Sequence, residues 1–304
     1  MRRNTIFLTF FLFGFCFNVN ASIISAGYFY NGTDYEIIRV PYGIGAQANG
    51  INNSGTIVGT YGNALIPEQG SFLRASNGSY QQLQVPGLST TLANGINNNG
   101  DIVGSVDDGA TRKGFVLSGV SYNTFLIPGS LGSIGNGIND SGNMTGVYLD
   151  SSFDVRGFYY DGSNYLSLDA PGATATFAQG INSSNDIVGD YLDASGNYHG
   201  FLYSGGSFTI IDFPNAVDTF LNGINAFGDI VGSYYDIDGD LHGFIFTGGN
   251  YMTLDVPNVL YSGVRAINDS GNYVGFAKIS EPSSLLLSVL GITILLFVRR
   301  KFKL

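Results

Sequence analysis

The segment Gly95-Ile96-Asn97-Asn98-Asn99-Gly100-Asp101-Ile102-Val103-Gly104 decides the fold of this chain, because close copies of it return five more times. The six copies begin at Gly50, Gly95, Gly137, Gly180, Gly223 and Ala266. Their spacing makes each repeat about 43 residues long, and six repeats cover nearly all of residues 27–277. The structure of one repeat therefore predicts the architecture of the whole.

Each repeat is predicted to contain four short strands. The Asn-x-x-Gly step at 97–100 supplies residues that tolerate left-handed backbone angles in a hairpin turn, between a strand ending in Gly-Ile and one beginning with Ile-Val. The same register brings back an aromatic strand, such as Gly200-Phe201-Leu202-Tyr203, and a strand ending in a motif such as Leu168-Asp169-Ala170-Pro171, where proline stops pairing. In this frame the aromatic strand is the first of each unit.

Four strands in about 43 residues is the spacing of a β-propeller blade. No stretch of the body shows the 3.6-residue apolar period of a helix. We therefore predict an all-β fold, a six-bladed β-propeller-like repeat domain over residues 22–278, with one repeat per blade. The competing architecture is a β-solenoid, but a solenoid coil usually needs fewer residues and does not require four tight turns.

The N-terminus predicts a signal peptide over residues 1–21. Arg2 and Arg3 form a positive region, Ile6 to Phe17 an apolar one, and Val19-Asn20-Ala21 a cleavage site. The single cysteine, Cys16, lies in this segment, so the mature body contains none. Disulfides, thiolate catalysis and cysteine-based metal sites are thereby excluded.

The C-terminal segment, residues 279–304, combines three features. Ser280-Glu281-Pro282 is followed by an apolar stretch from Leu285 to Val298 and then by Arg299-Arg300-Lys301. We expect the apolar stretch to be a transmembrane helix, whose short span requires snorkelling flanks. Because Lys and Arg beside a spanning helix stay cytoplasmic, the body upstream is predicted to lie outside the cytoplasm.

This order closely resembles the PEP-CTERM sorting signal of Gram-negative bacteria, in which a Pro-Glu-Pro box, a short hydrophobic helix and an Arg-rich end are recognised by an exosortase. Ser280 stands where that box has its first proline. The resemblance implies an exosortase-type enzyme and the membrane as partners. It also implies an inner-membrane precursor with its body in the periplasm, followed by a product at the cell surface or outside the cell. The implied sorting residues are Ser280, Glu281, Pro282, Arg299, Arg300 and Lys301.

The repeats also resemble the HAF repeats, an extracellular family named for His-Ala-Phe. His199-Gly200-Phe201 and His242-Gly243-Phe244 carry the motif with Gly in place of Ala, and Lys113 and Arg156 occupy the histidine position of earlier repeats. The resemblance covers the whole body. It implies a secreted repeat protein and brings no enzymatic activity with it.

Charge excludes nucleic acid as a partner. Six of the 13 basic residues lie at the chain ends, leaving seven against the chain's 23 acidic residues. Such a body repels phosphate backbones. The balance fits a soluble extracellular protein or a cation-bridged matrix.

Few residues suggest chemistry. Asp236, Asp238 and Asp240 surround a glycine turn in the oxygen-rich arrangement that Ca²⁺ prefers, although a plain hairpin turn explains the same residues. The histidines His199 and His242 recur one repeat apart, which favours a structural role. The recurring aromatic residues are expected in the core rather than on sugar-stacking platforms.

Three functions remain open at this stage. The first is a non-enzymatic, exported cell-surface or matrix protein associated with exopolysaccharide. The second is a carbohydrate-active propeller with a pair of Asp residues facing the central channel, although the similar acidic positions of the repeats argue against it, since an active site needs one repeat to differ. The third is a calcium-dependent glycan-binding module centred on Asp236, Asp238 and Asp240. No catalytic residue is predicted, and no cofactor except calcium.

Overall fold

The repeat motif folds into the same tight hairpin in every copy. In the third copy, Gly132–Ile138 pairs antiparallel with Met144–Leu149. The turn between these strands is closed by hydrogen bonds from the Asn139 N–H to the Asn143 carbonyl, 3.0 Å, and from the Gly142 N–H to the Asn139 carbonyl, 2.9 Å. Gly142 has a φ of 80°, which glycine adopts without strain. In the fourth copy Asn185 takes the place of this glycine with a φ of 65°.

The computed structural model describes residues 23–41, 43, 45–62, 70–88 and 90–280, and these form 24 β-strands. The chain begins with β1 (Ile23–Tyr30), β2 (Tyr35–Ile38), β3 (Gly45–Ile51), β4 (Ile57–Gly62), β5 (Gly70–Arg74), β6 (Tyr80–Leu83), β7 (Thr90–Ile96) and β8 (Ile102–Asp107). It continues with β9 (Arg112–Ser118), β10 (Ser121–Phe125), β11 (Gly132–Ile138), β12 (Met144–Leu149), β13 (Val155–Tyr160), β14 (Tyr165–Leu168), β15 (Ala175–Ile181) and β16 (Ile187–Leu192). It ends with β17 (Tyr198–Ser204), β18 (Ser207–Ile210), β19 (Asp218–Ile224), β20 (Ile230–Tyr235), β21 (Leu241–Thr247), β22 (Asn250–Thr253), β23 (Tyr261–Ile267) and β24 (Tyr273–Ser280).

These strands form six four-stranded sheets, which are the blades of a six-bladed β-propeller. Blades 1 to 5 each take four consecutive strands, from β3–β6 to β19–β22. Blade 6 has the order β2-β1-β24-β23, so both ends of the propeller sequence share one sheet. Closing the ring in this way leaves only short sheet edges. The predicted all-β, six-bladed fold is confirmed.

The predicted starting point of the repeat does not coincide with the start of a blade, and the two differ by two strands. The sequence unit starts at the aromatic strand, whereas each blade starts at the strand that ends in Gly-Ile. The reason is hydrogen bonding. The Asn-x-x-Gly turn joins two strands of one sheet, and the chain crosses to the next blade only after the proline motif, where pairing stops.

Six asparagines, one per hairpin turn, join the blades into a closed ring, which we call the turn ring. Each side-chain Nδ2 donates to the backbone carbonyl of the equivalent asparagine in the next blade, at 3.0–3.4 Å. The bond from Asn268 to the carbonyl of Asn52 completes the circle. The members are Asn52, Asn97, Asn139, Asn182, Asn225 and Asn268, all 3–6% exposed.

The crossing between blades is also held by one recurring bond. At five of the six crossings, the residue before the proline donates its N–H to a buried Ser or Thr hydroxyl on the first strand of the next blade, at 2.9–3.1 Å. The pairs are Val85–Thr91, Ile127–Ser133, Ala170–Thr176, Phe213–Thr219 and Val256–Ser262. At the sixth crossing Ala46 stands where the others have the hydroxyl. The proline motif therefore marks where the chain enters the next blade.

The core lies within and between blades, around the aromatic residue that follows glycine on the third strand. Phe158 and its equivalents are 0–1% exposed, which confirms a core role for these recurring aromatics. The glycine at the third position of each second strand, which is Ile-Val-Gly in four blades and Met144-Thr145-Gly146 in blade 3, is required by packing. A Cβ on Gly146 would lie 2.0 Å from the Ile134 carbonyl oxygen and 2.7 Å from the Phe158 ring.

The predicted signal peptide and nearly all of the predicted sorting segment lie outside the described residues. Strand β24 reaches Ser280, just past the expected end of the repeat domain at residue 278. Within the part of the chain that the structure describes, no helix is long and apolar enough to cross a membrane.

Replacing Asn139 by alanine tests the turn ring. The change removes bonds from Nδ2 to the Asn182 carbonyl and to Asn185, and leaves the N–H groups of Ser141 and Asn143 without their Oδ1 acceptor. At roughly 1 kcal/mol net per buried hydrogen bond, we expect a loss of about 2–4 kcal/mol in urea unfolding. Asn123→Ala, on an exposed position of β10, is the control. Equal stability of the two variants would contradict the role of the ring.

Candidate functional site

A β-bulge in the first strand of every blade directs one side chain towards the propeller axis. In blade 1 the pairing register shifts between Ala48 and Gly50, so Asn49 is left out of the ladder, and the other five blades repeat the shift. The bulge residues of all six blades line one cavity of about 160 Å³. They are Asn49, Asn94, Asn136, Gln179, Asn222 and Arg265. Because all six blades contribute, this cavity is the central channel.

Four of the six bulge residues repeat one contact. Asn49, Asn94, Asn136 and Asn222 each donate Nδ2 to a backbone carbonyl of the following blade, at 2.7–3.0 Å. Gln179 instead points its Nε2 at Asp190 of its own blade, 3.5 Å from Oδ1. The guanidinium of Arg265 lies 5.0 Å from the centre of the Phe276 ring. The sixfold pattern of the channel is therefore broken in blades 4 and 6.

A larger cavity of about 340 Å³, which we call the channel-mouth cavity, lies beside these two exceptions. Phe177 and Phe220 on its wall lie near the beginnings of β15 and β19, whereas the turn ring follows the ends of these strands. The cavity therefore lies towards the face opposite the turn ring. Its lining residues are Phe177, Gln179, Asp190, Tyr198, Phe220, Asn222, Ser233, Tyr235, Leu241, Arg265 and Phe276.

Four aromatic side chains form one wall of this cavity. The ring centres of Phe177 and Tyr198 are 6.2 Å apart, those of Tyr198 and Phe220 are 4.9 Å apart, and those of Phe220 and Tyr235 are 6.2 Å apart. These four aromatics do not occupy the recurring core positions, so the predicted core role, which concerned the recurring aromatics, does not extend to them. Each ring keeps part of its surface accessible.

Asp190 is the one buried carboxylate of the cavity, only 4% exposed. Burial raises the pKa of its carboxyl to about 7, against the opposing effects of the Gln179 hydrogen bond and the Arg265 charge. The equivalent position in blade 5 is Ser233, whose hydroxyl is buried and has no hydrogen-bond partner among the described residues. Two neighbouring blades therefore present polar groups that the protein itself satisfies poorly.

Chemically, this arrangement suits binding better than hydrolysis. Glycoside hydrolysis normally requires two carboxyl groups about 5–9.5 Å apart. Asp190 is the single carboxylate among the described residues that line these two cavities, so neither cavity holds the pair of Asp residues expected for a carbohydrate-active propeller. Asp140 and Asp269 line the other end of the channel, at the turn ring, where they accept hydrogen bonds from the side chains of Asn98 and Asn53. Aromatic faces next to amide, hydroxyl and charged groups are the usual composition of a small-molecule site.

The structure uses Asp236, the first of the three predicted calcium ligands, to close a turn. Its Oδ1 accepts the N–H groups of Asp238 and Asp240 at 3.0 and 2.8 Å, and its Oδ2 lies 3.5 Å from Nε2 of His242. The N–H groups and His242 hold the pKa of Asp236 below its usual range. Among the described residues no group of three or more His, Cys, Asp or Glu side chains is arranged to hold a metal ion. The calcium site stays a prediction.

The two histidines have a structural role, as expected, but one that sequence reasoning described incompletely. Nδ1 of His199 lies 2.8 Å from Asp212, its Nε2 lies 3.5 Å from Asp193, and its ring stacks on Tyr191. Partial burial disfavours the charged imidazole and lowers the pKa of His199, but the two carboxylates have the larger combined effect. The pKa of His199 is therefore raised. His242 repeats these contacts one blade later.

The same position takes other basic residues in earlier blades. Arg156 bridges Asp150 and Asp169 at 2.7 and 2.9 Å, and Lys113 contacts Asp108 at 2.8 Å. In blades 3 to 5 an aspartate six residues before the basic residue and another thirteen residues after it are the sequence signal for this bridge. The residue before Gly-Phe is therefore a basic residue that bonds to a turn aspartate and, in blades 3 to 5, also to an aspartate after the fourth strand.

Of the predicted sorting residues, Ser280 ends β24, and Glu281, Pro282, Arg299, Arg300 and Lys301 lie outside the described residues.

Sequence reasoning missed Asp190 and Arg265. The signal was present, because the residue before Gly-Ile-Asn is otherwise an amide, and the residue after Ile-Val-Gly is nowhere else charged. Asp190 is therefore an acidic residue that one repeat has and the others lack, an exception to the expected similarity of the acidic positions.

Comparison with known proteins supports the fold. No family model matches the chain, and no curated protein matches it in sequence. The structure of a putative TolB from Agrobacterium tumefaciens is similar with a TM-score of 0.64 at 14% identity, covering 85% of this chain and 99% of that one. TolB from Acinetobacter baumannii is similar with a TM-score of 0.54 at 10% identity, covering 83% of this chain and 63% of that one. At such identities the likeness is one of fold alone.

Asp190→Asn should stabilise the protein at pH 8 and lose this advantage towards pH 4. The carboxyl pKa is about 7 in the folded protein and about 3.9 in the unfolded chain. Between these values the folded state binds more protons, so the stability of the parent falls as pH rises, whereas the amide has no charge to bury. At about 1.4 kcal/mol per pKa unit, the difference reaches a few kcal/mol.

Chemical denaturation of both proteins from pH 4 to pH 8 measures this difference. Ser105→Ala, at the equivalent buried position of blade 2, is the control and should keep the pH dependence of the parent. Parallel curves for the parent and Asp190→Asn would mean that Asp190 is not a buried acid.

Asp236→Ala should lower the melting temperature more than Asp238→Ala does, because only Asp236 accepts the turn N–H groups through its side chain. Differential scanning calorimetry with and without millimolar calcium measures both effects. If the three carboxylates only shape the turn, calcium changes the melting temperature of neither the parent nor the two variants. A calcium-dependent rise in the parent that Asp238→Ala abolishes would instead establish the calcium site.

Proposed function

We propose that this chain is an exported, non-enzymatic protein of the cell surface or extracellular matrix, sorted by an exosortase-type enzyme and associated with extracellular polysaccharide. The propeller is its binding module. The observation that carries this proposal is the channel-mouth cavity, where a partly accessible aromatic wall faces buried polar groups and Asp190 is the single carboxylate among the described lining residues.

The use of charge supports a binding role rather than a catalytic one. Carboxylates close turns, as Asp236 and Asp193 do, or pair with the basic residue of the preceding strand, as Asp212 does with His199 on β17. Groups committed to such contacts are poor candidates for proton transfer. An acidic, cysteine-free body between two terminal targeting segments fits an exported protein.

The sequence of the two ends supports export and sorting. An apolar segment preceded by Arg2 and Arg3 directs the body out of the cytoplasm, and the basic cluster after Val298 holds the C-terminus inside. Strand β24 runs directly into the sorting box, since Ser280 belongs to both. The last strand of the propeller therefore overlaps the first residue of the proposed sorting box.

Replacing Glu281-Pro282 by Ala-Ala should stop sorting without stopping export. The signal peptide, apolar stretch and basic end that drive insertion are untouched. In a Gram-negative host with an exosortase, we expect the variant to accumulate as a full-length inner-membrane precursor. The parent should appear as a shorter form lacking residues 285–304 and sediment with the extracellular polysaccharide.

Ser283-Ser284→Ala-Ala, immediately after the box, is the matched control and should be processed like the parent. Immunoblots of membrane and extracellular fractions distinguish the outcomes. If the Glu281-Pro282 variant is processed like the parent, the sorting proposal is contradicted. If the parent protein is absent from the polysaccharide fraction, the proposed matrix association is contradicted.

A further inference from the structure

The channel-mouth cavity contains two equivalent positions whose buried polar groups the protein satisfies poorly. Asp190 and Ser233 both follow Ile-Val-Gly in neighbouring blades, and each is 4% exposed. The one described side-chain hydrogen bond to Asp190 is the 3.5 Å contact with Gln179, which is at the limit of bonding distance. The Ser233 hydroxyl has no hydrogen-bond partner among the described residues. Buried groups of this kind normally have partners, so the site is chemically incomplete.

We propose that this cavity binds a single neutral sugar residue, whose hydroxyl groups hydrogen-bond to Asp190 and Ser233 while one face of its ring stacks on the aromatic wall. This proposal rests on the proposed association with extracellular polysaccharide and names the site and the ligand class.

The hydrogen-bonding groups of the cavity match a hydroxylated ring. The Asp190 carboxyl and the amide oxygens of Gln179 and Asn222 accept hydrogen bonds, while Ser233 both donates and accepts. A sugar hydroxyl also donates and accepts, so one ligand satisfies all of these groups. An apolar ligand would leave them buried and unpaired at a free-energy cost.

The aromatic wall provides the apolar contacts of the proposed sugar site. Tyr198 and Phe220 lie with ring centres 4.9 Å apart and keep part of their surface accessible. Aromatic side chains of this kind bury apolar area while the Tyr hydroxyl keeps a polar contact. A sugar ring presents C–H groups on its face and hydroxyls at its edge, so it contacts the wall and the polar groups together.

Charge argues for a neutral ligand. Arg265 lines the cavity and acts electrostatically on Asp190. A cationic ligand would meet the guanidinium of Arg265, and an anionic one the carboxyl of Asp190. The volume of about 340 Å³ lies at the lower end of the range for small-molecule sites, which fits one ring rather than a long segment.

The test uses the propeller without its terminal segments, residues 22–280, which contains every strand of the closed ring. Methyl glycosides of glucose, galactose, mannose and a 6-deoxyhexose are the probes, with choline as a cationic and glucuronate as an anionic comparison. Titration calorimetry and saturation-transfer NMR measure binding. We expect at least one neutral glycoside to bind, and choline and glucuronate to bind at least tenfold more weakly.

Two variants locate the binding. Ser233→Ala and Asp190→Asn should each raise the Kd of the bound glycoside about tenfold or more, as expected for loss of a buried hydrogen bond. Ser105→Ala, the equivalent serine of blade 2, should bind like the parent. Because Asp190→Asn is predicted to be the more stable protein at neutral pH, weaker binding by that variant cannot be attributed to unfolding.

Three results would overturn the proposal: no binding of any neutral glycoside, unchanged binding by both variants, or preferred binding of choline or glucuronate. Failure here is distinguishable from failure of the proposed function. If the processed protein sediments with polysaccharide but the purified propeller binds none of these glycosides, the matrix association stands and involves another surface.

Discussion

The constraint on which the rest of this structure depends is the closed circle of amide-to-carbonyl bonds made by the turn ring. Each asparagine has two tasks. Its Oδ1 accepts the N–H of the residue four positions on, at 2.8–3.1 Å, and so shapes its own hairpin. Its Nδ2 reaches the next blade. A side chain with an acceptor and a donor on one rigid planar group can do both, and neither Asp nor Ser offers that combination.

Because the turn ring sets the packing of the blades at one face, the bulge residues near the axis are free to vary. Four of them keep an asparagine that links neighbouring blades, and two do not. Gln179 and Arg265 are the exceptions, and the channel-mouth cavity lies beside them. A repeat protein gains a distinct site in this way, by changing side chains at positions whose backbone is already held by the symmetric contacts.

The basic position before Gly-Phe shows the opposite behaviour, in which side-chain chemistry varies and the contact is kept. His199, His242 and Arg156 each join a turn aspartate to the aspartate near the end of the fourth strand. Histidine and arginine both make this bridge, so the contact and not the residue type is what these blades share. The two histidines lie on different blades, and each is held by its own pair of carboxylates.

The sequence by itself determined the number of blades, the four strands in each and the position of the turns, because these depend on local rules. A repeat of about 43 residues allows four strands, Asn-x-x-Gly requires a left-handed position, and proline ends pairing. Only the tertiary structure decided the frame of the repeat, since hydrogen bonds choose which strands share a sheet and blade 6 joins β1 with β24. The same holds for the site. Asp190, Ser233 and Arg265 lie far apart along the chain, and they meet because bulges and ring closure bring three blades to one cavity.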